Sequence, residues 1–134
     1  LINTDMFKAA SLSSLGEDKF SYFLQAGPEF TDRMRNAGYK VLEEDGEGFW
    51  EPYSLINNVD HVDVPMLIQV PDTEYEGGLD IFEVYSHAGK AIEMYVFEDE
   101  AHVKWQPAHR LAVYQRNVEW FEFWLAGRKN CGPR

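Results

Sequence analysis

The chain has 134 residues, of which 45% are hydrophobic and 15% aromatic, a composition typical of a single globular domain and not of a disordered segment. Its formal net charge of −11 argues against nucleic-acid binding, because phosphate contacts require a basic face. We expect no membrane-spanning helix, since no apolar run reaches about 18 residues, and the one cysteine, Cys131, excludes a disulfide framework.

The N-terminal part of the chain predicts one strand and one interrupted helix. Residues 1–5 are typical of the last turn of a helix, and the run FKAASLSS, residues 7–14, predicts a short buried strand. Residues 21–38 have a helical composition, and we expect Gly27 and Pro28 to break that helix.

Strands and helices alternate in the rest of the chain. Pro65 opens a compact apolar strand at Met66–Val70, and residues 92–97 predict a second strand. Between them, residues 79–89 have the apolar spacing of a helix that ends at a glycine. The last helix, residues 108–127, carries an apolar stripe formed by Leu111, Val113, Tyr114, Val118, Phe121 and Leu125.

This order of elements predicts an α/β fold with a mainly parallel sheet flanked by helices. Parallel sheets carry their chemistry in the loops beyond the carboxyl ends of the strands. The loop after Met66–Val70 contains the carboxylates of Asp72 and Glu74, and the loop after residues 92–97 contains His102. Because adjacent parallel strands end at the same edge, we expect these loops to lie within hydrogen-bonding distance of each other.

An acid followed by a histidine on the next strand is two thirds of a serine hydrolase triad. In such a triad, the histidine takes a proton from a serine hydroxyl. The carboxylate holds the imidazole in the required tautomer and stabilises the imidazolium that forms. Asp72 and Glu74 are both candidates for this carboxylate.

Four segments resemble the C-terminal part of the peptidase domain of the prolyl oligopeptidase family of serine peptidases. They are INTDMFKAASLSS, VDHVDVPMLIQVPDTE, GLDIFEVYSHAGKAIEMYVFEDEAH and HRLAVYQRNVEWFEFWLAG. Together they cover nearly the whole chain. The resemblance implies that residues 1–134 are the C-terminal portion of an α/β-hydrolase fold, with a nucleophile elbow and a β-propeller upstream of Leu1.

A narrower resemblance is to the lasso-peptide isopeptidases, a branch in which the triad acid is a glutamate. Aligning LIQVPDTE with the family pattern puts Glu74 on the acid position and Pro71 on a position usually occupied by glycine. The resemblance therefore implies that Glu74 and His102 are catalytic residues. Asp72 remains the competing acid, because a turn residue of this kind can instead accept a backbone hydrogen bond.

The resemblance implies hydrolysis of the macrolactam isopeptide bond of a lasso peptide through an acyl-enzyme. No GxSxG motif occurs in the chain, so we expect the nucleophilic serine upstream and no activity from this chain alone. Two alternatives stay open: a prolyl-oligopeptidase-type peptidase that acts on linear peptides, and a non-catalytic hydrolase-like interaction domain.

Four residues are candidates for substrate contact. Trp105, His109 and Arg110 follow the histidine loop closely enough to line a cleft, and Trp50 lies in the aromatic stretch GFWEPY. The alternative to substrate contact is that His109 has only a structural place near the start of the last helix. Helical aromatics such as Trp120 are more typical of core or interdomain contacts.

We expect neither a metal nor another cofactor. Glu98, Glu100 and His102 alternate, so an extended strand would put them on one face, but no second histidine stands at ligand spacing. The expected partners are the lasso peptide and the rest of the same polypeptide, including the upstream β-propeller, without nucleic acid or membrane. A dimeric assembly and a location in the bacterial cytoplasm are further hypotheses.

Overall fold

A computed structural model describes residues 1–13, 19–41, 44 and 48–128. The predictions made for Ser14 and Cys131 lie outside these residues. The strands are β1, Ala10–Leu12; β2, Met66–Pro71; and β3, Ile92–Phe97. The helices are α1, Lys19–Asn36; α2, Glu76–His87; and α3, Pro107–Ala126, and a short 3-10 turn spans Val59–His61.

The three strands form one parallel sheet in the order β1-β2-β3. Met66 of β2 pairs with Ala10 on one side and with Ile92 on the other, so β2 is the central strand. All six residues of β2 are buried, which explains why its sequence MLIQVP is an almost continuous apolar run. The predicted α/β fold with a parallel sheet and flanking helices is confirmed.

The core lies between one face of the sheet and helix α2. Its buried members are Leu55, Val62, Met66, Ile68, Val70, Ile81 and Tyr85. Tyr85 is fully buried, and its hydroxyl donates a hydrogen bond of 3.2 Å to the carbonyl oxygen of Leu55. Burial raises the pKa of Tyr85 to about 12, because the phenolate would have to form away from water.

Helix α3 is joined to the sheet by polar contacts. Gln69 is buried in β2, and its amide nitrogen donates a 2.8 Å hydrogen bond to Oδ1 of Asn117. The same oxygen accepts a 2.6 Å hydrogen bond from the Ser11 hydroxyl of β1. One side chain in the middle of α3 therefore contacts two neighbouring strands, which holds the middle of this helix against the sheet.

In the N-terminal part of the chain, two features differ from the sequence prediction and one agrees with it. Strand β1 covers only Ala10–Leu12 of the predicted residues 7–14, and residues 2 and 3 form a turn where a last helical turn was expected. The predicted break in α1 is confirmed, because Gly27 has φ 67° directly before Pro28.

The apolar stripe of α3 does not form the buried face of the helix in the described part of the chain. Leu111, Tyr114, Val118 and Leu125 are all more than half exposed, whereas Trp120 is buried. Because α3 is apolar on more than one side, the sequence pattern could not say which side meets the sheet. No helix among the described residues has the length and apolar character needed to cross a membrane.

Candidate active site

The candidate site lies at the carboxyl ends of β2 and β3. The two strands stay paired to their last residues, where Pro71 faces Phe97. The backbone N–H of Asp72 then donates a 2.9 Å hydrogen bond to the carbonyl oxygen of Phe97. The loops that follow therefore leave the sheet side by side, as predicted.

Glu74 and His102 meet across these two loops. The carboxylate oxygens of Glu74 lie 3.1 and 3.2 Å from Nδ1 of His102. Because an ionised carboxylate only accepts hydrogen bonds, Nδ1 is the donor in this contact, and in the neutral ring Nε2 then carries the lone pair. The His102 side chain is 61% exposed and that of Glu74 is 20% exposed, so the ring is accessible while its partner is largely covered.

Asp72 contacts a different group. Its carboxylate accepts a 3.0 Å hydrogen bond from the backbone N–H of Asp99, and this bond lowers the pKa of Asp72 below its usual value. Asp99 has φ 52°, an uncommon conformation for a residue with a side chain. Its carbonyl oxygen is held by a 2.9 Å hydrogen bond from the Gln106 amide. Asp72 thus supports the turn after β3 and not the His102 ring.

Glu100 forms a second, buried acid–histidine pair. Its fully buried carboxylate accepts hydrogen bonds from the backbone N–H groups of Trp105, at 2.7 Å, and Gln106, at 3.1 Å. It also accepts one from Nδ1 of His109, at 2.8 Å. Burial raises the pKa of Glu100, but the hydrogen bonds from Trp105, His109 and Gln106 outweigh burial and hold it below its usual value.

This contact bears on two residues that the sequence analysis considered. The metal-binding alternative for Glu98, Glu100 and His102 was not adopted there, and the oxygens of Glu100 accept hydrogen bonds from the N-terminus of α3. Within the part of the chain that the structure describes, no group of three or more His, Cys, Asp or Glu residues could hold a metal ion. His109 was a candidate for substrate contact, yet its Nδ1 is bound to Glu100 and its ring packs on Phe97 at 5.3 Å.

Lys104 is a residue that the sequence analysis missed. It is 8% exposed and lies between the exposed Val103 and Trp105. Its ammonium donates hydrogen bonds to the carbonyl oxygens of Gln69, Ser13 and His102. The signal available in the sequence was a lysine two residues after the candidate base, a weak one because most lysines are exposed.

The other predicted contact residues divide into exposed and buried ones. Trp105 is 64% exposed beside the histidine loop, and Arg110 is also exposed. Trp50 is only 4% exposed, and its indole N–H donates a 2.8 Å hydrogen bond to the carbonyl oxygen of Lys40. Its ring packs against three aromatic neighbours, Phe23, Tyr39 and Phe49. The prediction of a substrate contact for Trp50 is therefore not kept.

A cleft of about 420 Å³ lies elsewhere, between β3 and the C-terminal half of α3. Its lining includes Tyr95, Arg116 and Trp120 but neither Glu74 nor His102. The Arg116 guanidinium stacks on the Tyr95 ring at 3.9 Å, which covers one wall of this cleft. The acid–histidine pair instead stands on the open surface at the strand ends.

The known proteins that this chain resembles include an isopeptidase and a peptidase. The chain is 40% identical over 133 residues to the lasso peptide isopeptidase AtxE2 of Asticcacaulis excentricus. The chain resembles a lasso peptide isopeptidase. The match covers 99% of this chain but only 19% of that relative, so the chain spans about a fifth of its length. The similarity predicted from the sequence motifs is confirmed.

Solved structures give the same picture of the fold. The structure of AtxE2 without ligand superposes with a TM-score of 0.89 at 39% identity, over 98% of this chain and 20% of that one. An acylaminoacyl peptidase of Pyrococcus horikoshii superposes with a TM-score of 0.79 at 19% identity, over 99% and 22%. The chain therefore has the fold of the α/β-hydrolase peptidases. No family model matches the sequence.

Proposed function

We propose that this chain is the acid- and histidine-bearing part of a serine isopeptidase that opens the macrolactam ring of a lasso peptide. The observation that carries the proposal is the contact of both Glu74 oxygens with Nδ1 of His102 at the carboxyl ends of adjacent parallel strands. The isopeptidase relative at 40% identity supports the choice of reaction.

The role proposed for His102 follows from its tautomer. With the proton of Nδ1 held by Glu74, the lone pair of Nε2 can accept the proton of a serine hydroxyl as that oxygen attacks the isopeptide carbonyl carbon. The carbon–nitrogen bond then breaks, and Nε2 returns the proton to the departing amine, which leaves an ester on the serine. A water molecule attacks the ester, and its proton passes through Nε2 to the serine oxygen.

The role proposed for Glu74 is to orient this ring and to stabilise the imidazolium that forms in each step. Removing the acid of such a triad costs on the order of 10⁴ in rate. At 20% exposure, the Glu74 side chain is covered enough for its charge to act on His102 with limited screening by water.

The nucleophile and the β-propeller are part of the same proposal and belong to the upstream part of the full-length protein. Ser11 is a poor nucleophile candidate, because its hydroxyl donates a hydrogen bond to Oδ1 of Asn117 in α3. A solved structure of a serine-to-alanine variant of AtxE2 with Astexin3-dC4 bound supports a peptide substrate. A dimer stays an untested hypothesis.

The experiment offers the full-length protein a threaded lasso peptide and the same peptide in linear form. Mass spectrometry should detect the addition of one water to the threaded peptide and no change in the linear one, and the His102→Ala variant should leave both intact. Cleavage of the linear peptide alone would favour the linear-peptide peptidase. A folded protein that cleaves neither peptide and has no upstream serine in a glycine elbow would be an interaction domain.

A further inference from the structure

The buried ammonium of Lys104 joins three parts of the candidate site. Nζ donates hydrogen bonds of 3.1 Å to the carbonyl oxygen of Gln69, 3.3 Å to that of Ser13 and 3.4 Å to that of His102. Ser13 directly follows β1, and Gln69 lies near the carboxyl end of β2. An ammonium has three N–H donors, so all of its hydrogen-bonding capacity is used to hold the backbone of the histidine loop against two strand ends.

This arrangement needs an explanation because burying a cation is costly. Transferring an ammonium out of water is unfavourable unless charge or hydrogen bonds compensate. Burial lowers the pKa of Lys104, while the negative charges of Glu74 and Glu100 act in the opposite direction. The three hydrogen bonds offset this cost, and an apolar side chain in the same space would make none of them.

The histidine lies among charged groups of both loops. Glu74 approaches His102 from the loop after β2, and Glu100 lies on the histidine's own loop, paired with His109 of α3. The Lys104 ammonium is buried behind the same loop, where it interacts favourably with the negative charges of both carboxylates.

We propose that Lys104 is a positioning residue for the acid–histidine pair, holding the His102 backbone at the ends of β1 and β2 and placing a positive charge behind the two loops that carry the pair. This proposal rests on the proposed function for its kinetic consequences, but its contact with the histidine loop can be tested without substrate.

The test compares three variants of the full-length protein. Lys104→Met removes the charge and the donors while keeping a long side chain, and Lys104→Arg keeps the charge. Lys90→Met is the matched control. Lys90 lies just before β3, near the amino ends of the strands, and it also donates a hydrogen bond to a backbone carbonyl oxygen, that of Val62. Its ammonium pairs with the carboxylate of Asp63.

Two readouts are independent of folding yield. The first is the downfield proton resonance of the His102 ring N–H bound to Glu74, assigned with the His102→Ala variant. The second is the separate measurement of KM and of kcat per folded protein on the threaded peptide. For Lys104→Met we expect loss or displacement of the resonance and a fall in kcat of about tenfold to a hundredfold, since a displacement of about 1 Å can cost that much. KM should stay within about twofold, because the substrate-binding surface is unchanged.

Lys104→Arg should keep the His102 ring resonance and part of kcat, and Lys90→Met should change neither the resonance nor kcat. The proposal is overturned if Lys104→Met keeps the resonance and a kcat within about twofold of the original, or if Lys90→Met is equally impaired. Should Lys104→Met not fold, Lys104→Gln takes its place under the same criteria. If the original protein cleaves no peptide, the proposed function is refuted. The His102 ring resonance in Lys104→Met would then still test whether Lys104 positions the acid–histidine pair.

Discussion

The Asp72 carboxylate accepts a hydrogen bond of 3.0 Å from the backbone N–H of Asp99, which ties the loop after β2 to the turn after β3. This contact occupies the acid that competes with Glu74 in the sequence. It also supports a turn in which Asp99 has φ 52°. The two acids of the segment PDTE thus have separate tasks, since Asp72 holds the loops together and Glu74 meets the histidine.

The first prediction separates these two acids. Glu74→Gln in the full-length protein should lower kcat by about 10² to 10⁴, because an amide cannot stabilise the imidazolium. Asp72→Asn should cost less than about tenfold, since its amide oxygen can still accept the hydrogen bond from Asp99. Single-turnover rates on the threaded peptide measure both changes. A larger loss in Asp72→Asn than in Glu74→Gln would move the triad acid to Asp72.

The second prediction concerns the buried pair of Glu100 and His109. In Glu100→Gln, an NH₂ group would replace one of the two oxygens that receive hydrogen bonds from Trp105, Gln106 and His109. Two donors would then face each other, so the histidine loop should shift and kcat should fall about tenfold or more. The exposed Glu98→Gln is the control and should keep its activity. Equal rates in the two variants would count against a structural role for Glu100.

The third prediction concerns Trp50. Trp50→Phe keeps an aromatic ring in the cluster but removes the hydrogen bond to Lys40 and part of the packing, so the free energy of unfolding should fall by at least about 1 kcal/mol while KM stays unchanged. Denaturant unfolding and peptide kinetics check the two parts. Trp105→Ala is the comparison, because this side chain is 64% exposed beside the site and its loss should raise KM. A raised KM in Trp50→Phe without loss of stability would restore Trp50 as a substrate contact.

The fourth prediction is a pH dependence of stability that arises from Tyr85. Its pKa is raised from 10.0 to about 12 by burial, so the folded state prefers the protonated phenol. The corresponding stability is fully present below about pH 10 and is lost as the pH rises toward 12, by up to about 2–3 kcal/mol. Tyr85→Phe should be less stable at neutral pH, having lost the bond to Leu55, but should lack this alkaline decline. Parallel declines in the two proteins would rule out Tyr85 as the cause.

Local sequence patterns were sufficient for the central parts of the fold. The apolar run of β2, the glycine and proline in α1 and the alternation of strands and helices each depend on neighbours in the chain, and the structure contains all of them. The same alternation predicted that the loops carrying Glu74 and His102 would adjoin, because parallel strands end at one edge. The resemblance to the isopeptidases then favoured Glu74 over Asp72.

What only the tertiary structure decided depends on contacts between residues far apart in the chain. The ammonium of Lys104 binds the carbonyl oxygen of Ser13, 91 positions away, and Asn117 binds Ser11, 106 positions away. The burial of Trp50 and the exposure of the α3 stripe likewise depend on which surfaces meet. A periodic pattern records that a residue is apolar or charged, but its burial and its partner are set by packing across elements. For that reason the acid–histidine pair could be inferred from the chain itself, whereas the lysine behind it could not.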